Sequence, residues 1–179
     1  MKKAVIIEGP DNLGKTTLAR LLIEEIDGFS SIVHCGPPEG DGDQALNLQL
    51  RYLKETMAAF RKESVLEIWD RSVIGECVYG PMYREYNHER YETHLMKELA
   101  DVQSRLFVIV LYTNGDVYTQ MKIKAKGDEL EPYQTQTAAP KIAIRFVDVL
   151  TKLNLKHTLY INCENYESFD LRNRYIMKR

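Results

Sequence analysis

A chain of 179 residues with 44% apolar content can bury one substantial core and is short for two independent domains. Its 24 Lys and Arg against 26 Asp and Glu leave a formal charge of -2, which disfavours nucleic acid as a partner while leaving room for a local basic groove. Cys35, Cys77 and Cys163 lack metal-type spacing and form an odd number, as expected of reduced thiols in a core; no apolar run approaches the roughly 20 residues that span a bilayer, so a cytoplasmic protein with no membrane partner is expected.

Apolar runs of strand character occur at Ala4 to Ile7, Ser31 to His34, Val65 to Trp69, Leu106 to Tyr112 and Thr158 to Ile161. Helix-period segments lie between them. The first carries Leu18, Leu21, Leu22 and Ile26, the second Leu46, Leu50, Leu53 and Met57, and the third Tyr91, Leu95 and Leu99. Pro140 suits the first turn of a further helix with Ile142, Phe146, Val149 or Leu150, and Leu153 on its apolar stripe; a final helix is expected over Ser168 to Met177. Continuous apolar strands alternating with helices predict a three-layer α/β domain, a five-stranded mainly parallel sheet with helices on both faces. The stretches "HCGPPEGDGD" at 34 to 43 and "AKGDELEPYQTQTAAP" at 125 to 140 break either period and are expected to be loops near the ligand-binding edge.

The first strand runs into "EGPDNLGKTT", whose Gly9-x-x-x-x-Gly14-Lys15-Thr16 spacing is that of a phosphate loop. Glycines at both ends let the backbone of Gly9, Asn12, Leu13 and Gly14 curl with its N-H groups inward, and the next helix adds its positive end. Lys15 reaches the terminal phosphates, the Thr16 hydroxyl suits a bridging Mg2+, and Thr17 adds a donor. The guanine-reading Asn-Lys-x-Asp pattern is absent, which disfavours a GTPase, and the length suits a small-molecule kinase better than an ATPase motor.

The third strand, "VLEIWDRS", ends in Asp70-Arg71 where the sheet should open toward the phosphates. Asp70 is a candidate for the metal or its water and Arg71 for a bidentate hold on an acceptor phosphate. Beyond the fourth strand, Lys122, Lys124 and Lys126 make a lid candidate over about 121–139, with Lys122 and Lys126 on one helical face to meet charge on the transferred phosphoryl group.

Together, "EGPDNLGKTT", "WDRS" and the lid resemble the thymidylate kinase family, in particular its phage-type members, over most of the chain. The resemblance implies a P-loop kinase fold in a single domain over 1–179, ATP and Mg2+ as cofactors, a deoxynucleoside monophosphate as the small-molecule substrate and a homodimer as a possible assembly. It implies that Asp11 faces the sugar 3'-hydroxyl, that Asp70 lies near magnesium, and that Arg71 lies on the monophosphate. Arg51 in "LQLRYL" matches the arginine that reads the pyrimidine edge, and Tyr79 falls where the family often puts an aromatic beside the base. Glu76 and Arg84 are further pocket candidates.

The chain departs from the family after its second strand, where His34-Cys35-Gly36-Pro37-Pro38-Glu39 replaces Arg-Glu-Pro-Gly-Gly-Thr; His34 is a candidate for the missing phosphate contact, and Pro37 lines the same loop. Asn47 stands where the family stacks an aromatic on thymine, and Asn12 where some members carry a loop arginine, so cationic help is expected from lid lysines. The expected reaction is ATP-dependent phosphorylation of dTMP or a related pyrimidine deoxynucleoside monophosphate to the diphosphate. The open alternatives are a deoxynucleoside kinase acting on a 5'-hydroxyl, a kinase of DNA ends or modified bases, and a nucleotide-binding module without catalysis.

Overall fold

In the computed structural model the described residues are 4–35, 42–62, 66–113 and 138–163. Five strands, β1 (Ala4–Glu8), β2 (Phe29–His34), β3 (Leu66–Asp70), β4 (Leu106–Tyr112) and β5 (Thr158–Asn162), form one sheet in the order β2-β3-β1-β4-β5. Every pairing is parallel, with Val5 opposite Ile68 on one side of β1 and Phe107 on the other. The sequence-based expectation of a parallel five-stranded sheet holds, and each expected strand lies within two residues of its place.

Crossovers between parallel strands need long connections, supplied here by helices. These are α1 (Lys15–Glu25), α2 (Gly42–Arg61), α3 (Glu76–Tyr83), α4 (His88–Leu99) and α5 (Ala138–Lys152). Side chains alternate along each strand, so two cores form on opposite faces of the sheet. Ile7, Ile68, Ile109, Leu111 and Ile161 meet Leu13, Leu18, Ala19 and Leu22 on the α1 face. Ile6, Trp69, Val108 and Val110 meet Leu46, Leu53 and Met57 of α2, Tyr91, Leu95 and Leu99 of α4, and Ile142, Phe146, Val149, Leu150 and Leu153 of α5 on the other. The helical stripes read from the sequence are therefore the buried ones, and both Val149 and Leu150 are enclosed.

Local signals explain where these elements start. Asn87 caps α4 by accepting from the Arg90 N-H at 2.9 Å. Pro140 stands in the first turn of α5, where its missing N-H costs no hydrogen bond. That helix begins at Ala138, so the last two residues of the expected lid, Ala138 and Ala139, are helical. The segment expected to form a final helix lies outside the described residues, as do 121–137 of the lid. All three cysteines are free, and burial pushes the Cys35 and Cys163 thiols up to about 11, consistent with packing roles. Among the described residues no helix is long and apolar enough to cross a membrane.

One close approach fixes how β1 leaves the sheet. Gly9 has φ +129, and a Cβ there would lie 2.2 Å from the Leu111 carbonyl oxygen of β4. Backbone against backbone leaves no flexible atom to yield. Gly9→Ala should therefore lower unfolding stability by at least about 3 kcal/mol in chemical denaturation, and a loss under about 1 kcal/mol would contradict the contact.

Candidate active site

The end of β1, the loop 9–14 and the start of α1 stand at the carboxyl edge of the sheet, beside the ends of β3 and β2. Open α/β sheets bind ligands at this edge, where the strand order reverses around β1. Three loop residues take positive φ: Gly9, Asn12 (+61) and Gly14 (+81). Gly14 caps α1 without any side-chain hydrogen bond, and no acid stands in the first turn of the helix. The first-turn N-H groups thus face the loop with no side-chain cap, an arrangement suited to an anion. Leu13 is fully buried in the core, so it can serve a phosphate only through its backbone, whereas Thr17 is exposed.

Lys15 is buried and its ammonium turns back along the loop. Nζ donates to the carbonyls of Gly9 (2.9 Å) and Pro10 (2.6 Å) and lies 3.5 Å from Asp11 Oδ1. The Arg71 guanidinium contacts the same Asp11 oxygen. One carboxylate therefore holds two cations, one from the start of α1 and one from the turn after β3. Arg71 itself has φ +69, and its N-H donates to the Ile7 carbonyl at 2.9 Å, so the turn after β3 is pinned to β1.

On the other side of the helix start, the Thr16 hydroxyl donates to Asp70 Oδ2 at 2.5 Å, and His34 Nδ1 lies 3.1 Å from the same oxygen. A carboxylate only accepts, so Nδ1 carries the proton in this contact. His34 is exposed while Asp70 is buried. Thr16 and Asp70 offer two hard oxygens side by side, the donor type Mg2+ prefers when waters and phosphates complete its shell. Among the described residues no group of three or more His, Cys, Asp or Glu forms a dedicated metal cage.

The remaining sequence candidates fall in two other places. The Tyr79 hydroxyl donates to the Gly9 carbonyl at 2.9 Å, while its ring stacks on Tyr83 and meets Phe146 edge-on at 6.0 Å. Glu76 and Arg84 pair with each other: Arg84 donates to both Glu76 oxygens at 2.8 and 3.1 Å, and the Tyr86 hydroxyl donates to Glu76 as well. Burial raises the Glu76 pKa against the pull of Tyr86 and Arg84. Arg51 is on the exposed side of α2, 3.8 Å from Glu55 and 5.5 Å above the Tyr52 ring, and is not among the groups that meet at the loop. Pro37, Lys122 and Lys126 lie outside the described residues.

Sequence reasoning gave no task to Glu8 or Ser72. Glu8 ends β1 with no solvent exposure; its Oε1 accepts from the Ser72 hydroxyl at 2.8 Å, and Oε2 is buried without a hydrogen-bond partner. A charged residue closing an otherwise apolar buried strand was the available signal.

A parallel sheet in this order, opening onto an uncapped helix start behind a glycine-framed loop, defines the class of protein as the P-loop kinase fold. Comparison with known proteins agrees. No family model matches the chain. It is 24% identical to a probable thymidylate kinase of Methanococcus aeolicus, over 99% of this chain and 87% of that protein. The YorR protein of Bacillus subtilis, solved with phosphorylated GDP, shares 19% identity over 91% of this chain and 87% of its own, with a TM-score of 0.63. The thymidylate kinase of Candida albicans shares 16% identity over 90% of this chain and 84% of its own, with a TM-score of 0.62. These similarities show the P-loop kinase fold and support a thymidylate kinase-like family.

Burial pushes the Glu8 carboxyl up to about 7 from 4.5, against the pull of Ser72, Lys15 and Arg71. The folded state then binds a proton more tightly than the unfolded chain, so this group lowers stability as pH rises from 4.5 to about 7. Relative to Glu8→Gln, the wild type should lose about 3 kcal/mol across that window in denaturant titrations, and parallel pH profiles for the two proteins would refute the shift.

Proposed function

We propose that this chain transfers the γ-phosphoryl group of ATP to the 5'-phosphate of a deoxynucleoside monophosphate, dTMP or a related pyrimidine nucleotide, giving the diphosphate. The similarities to thymidylate kinases support nucleotide phosphorylation in general. The finer reading is carried by one observation, the meeting of Lys15 and Arg71 on Asp11 beside the uncapped start of α1. Two cations held by one acid are poised for two anions.

In this reading the loop N-H groups and Lys15 take the donor's phosphates, and Arg71 takes the acceptor's phosphate. As the bond from the γ-phosphorus to its bridging oxygen breaks, an acceptor phosphate oxygen bonds to phosphorus and ADP leaves. That oxygen is already anionic, so alignment and charge neutralisation do most of the work and no strong base is required. Thr16 and Asp70 would hold Mg2+, which when bound neutralises phosphate charge. Asp11, once its cations turn to phosphates, would accept from the acceptor's 3'-hydroxyl. Lys122 and Lys126 are assigned to the lid that meets charge on the transferred group.

The nearest rival is a deoxynucleoside kinase, which needs a base for a neutral 5'-hydroxyl. Asp70 already accepts from Thr16 and His34 on one oxygen, which favours its metal-side role. ADP release should be seen with dTMP and not with thymidine, and the reverse preference would select the rival. Lys15→Ala should lower kcat by at least about 10³-fold, and Arg71→Ala should raise the acceptor KM by at least about 10-fold with the ATP KM within about 3-fold. Equal effects of Arg71→Ala on both KM values would refute the assignment.

A further inference from the structure

Glu8 is fully buried, and the reaction proposed above gives it no task. Burial disfavours its ionised form, and its Oε2 has no hydrogen-bond partner, so its presence at the end of β1 needs a cause other than stability.

The turn that follows β3 is built around this carboxyl. The Ser72 hydroxyl donates to Glu8 Oε1 at 2.8 Å and accepts from the Ile74 N-H at 3.1 Å, which fixes its rotamer from both sides. Gly75 leaves the space the carboxyl fills, since a Cβ there would lie 2.9 Å from Oε2 and 3.4 Å from Oε1. The Gly75 N-H closes the turn on the Ser72 carbonyl at 3.1 Å.

Arg71 sits between Asp70 and this anchored serine, in the left-handed region that a residue with a Cβ avoids unless its surroundings force it. Its own N-H is held by the Ile7 carbonyl. The backbone of Arg71 is thus gripped on one side by the main chain of β1 and on the other, through Ser72, by the side chain of the next β1 residue. Lys15 and Arg71 are the cations that act on Glu8.

We propose that Glu8 is a positioning residue which, through the Ser72 hydroxyl, locks the turn after β3 and so aims the Arg71 guanidinium at the acceptor anion. The inference rests on the acceptor-binding role of Arg71 proposed above. Glu8 touches no substrate; it acts on acceptor affinity through the turn that carries Arg71.

The test is steady-state kinetics in both substrates on the full chain. Ser72→Ala and Glu8→Ala should each raise the acceptor KM by about 5-fold or more, with the ATP KM and kcat within about 2-fold. Glu8→Gln, whose amide oxygen still accepts from Ser72, should restore the acceptor KM to within about 2-fold of wild type. In an Arg71→Ala background, Ser72→Ala should add nothing, because both changes act through one guanidinium. The inference is overturned if both KM values rise alike, if Gln is as damaging as Ala, or if the Ser72→Ala effect adds in full to Arg71→Ala. Where Glu8→Ala does not fold, Ser72→Ala decides, since it removes a single oxygen. A rise for Arg71→Ala with none for Ser72→Ala overturns this inference alone; no rise for Arg71→Ala removes the functional reading along with it.

Discussion

The site depends on a charge balance at the end of β1. A buried ammonium is costly unless it is paired and hydrogen-bonded, and Lys15 satisfies that condition with two loop carbonyls and Asp11. Arg71 leans on the same carboxylate from the end of β3. Without a ligand, the acid keeps two like charges close together. With phosphates present, each cation can exchange part of its contact with Asp11 for an anion, so binding replaces existing charge pairs rather than creating new ones in a dry site. In the proposed reaction this arrangement would set the loop up for anions and tie donor and acceptor sides to Asp11.

The sheet makes that balance possible. Parallel strands on both sides of β1 bring the ends of β1 and β3 into adjacent positions, with Ile7 beside Asp70. Gly9 then passes so near Leu111 that only a residue without Cβ fits, which sends the chain sharply into the loop. The Gly9 carbonyl receives both Lys15 and the Tyr79 hydroxyl, so α3 is tied to the phosphate loop by a hydrogen bond and to α5 by the contact of Tyr79 with Phe146. Packing on the α3 face and geometry at the loop are therefore linked through Tyr79.

Much of this was legible in the sequence because its signals are local and periodic. Five apolar runs with helical stripes between them are enough to imply a mainly parallel sheet covered by helices, since stripes such as Leu46, Leu53 and Met57 or Ile142, Phe146 and Leu153 need a surface to bury; the strand order is not contained in them. The glycine, lysine and threonine spacing places the loop for the same reason: the backbone curl needs those residues at those positions. What escaped the sequence are contacts between residues far apart in the chain. Nothing in the spacing reveals that Ser72 reaches Glu8, that Tyr79 bonds Gly9, or that Glu76, Arg84 and Tyr86 satisfy one another. Arg51, matched by resemblance to a base-reading arginine, stands on the exposed side of α2 with Glu55 and Tyr52. A helical position fixes the face a residue occupies but not what the face meets.

In the proposed reaction one cleft brings two anionic nucleotides end to end. Calorimetric titration with adenosine and thymidine joined through five phosphates tests it most directly. If both halves bind at once, the second is held at high effective concentration, and the linked compound should bind at least about 10²-fold more tightly than ATP or dTMP alone. An affinity no better than that of ATP would contradict the account.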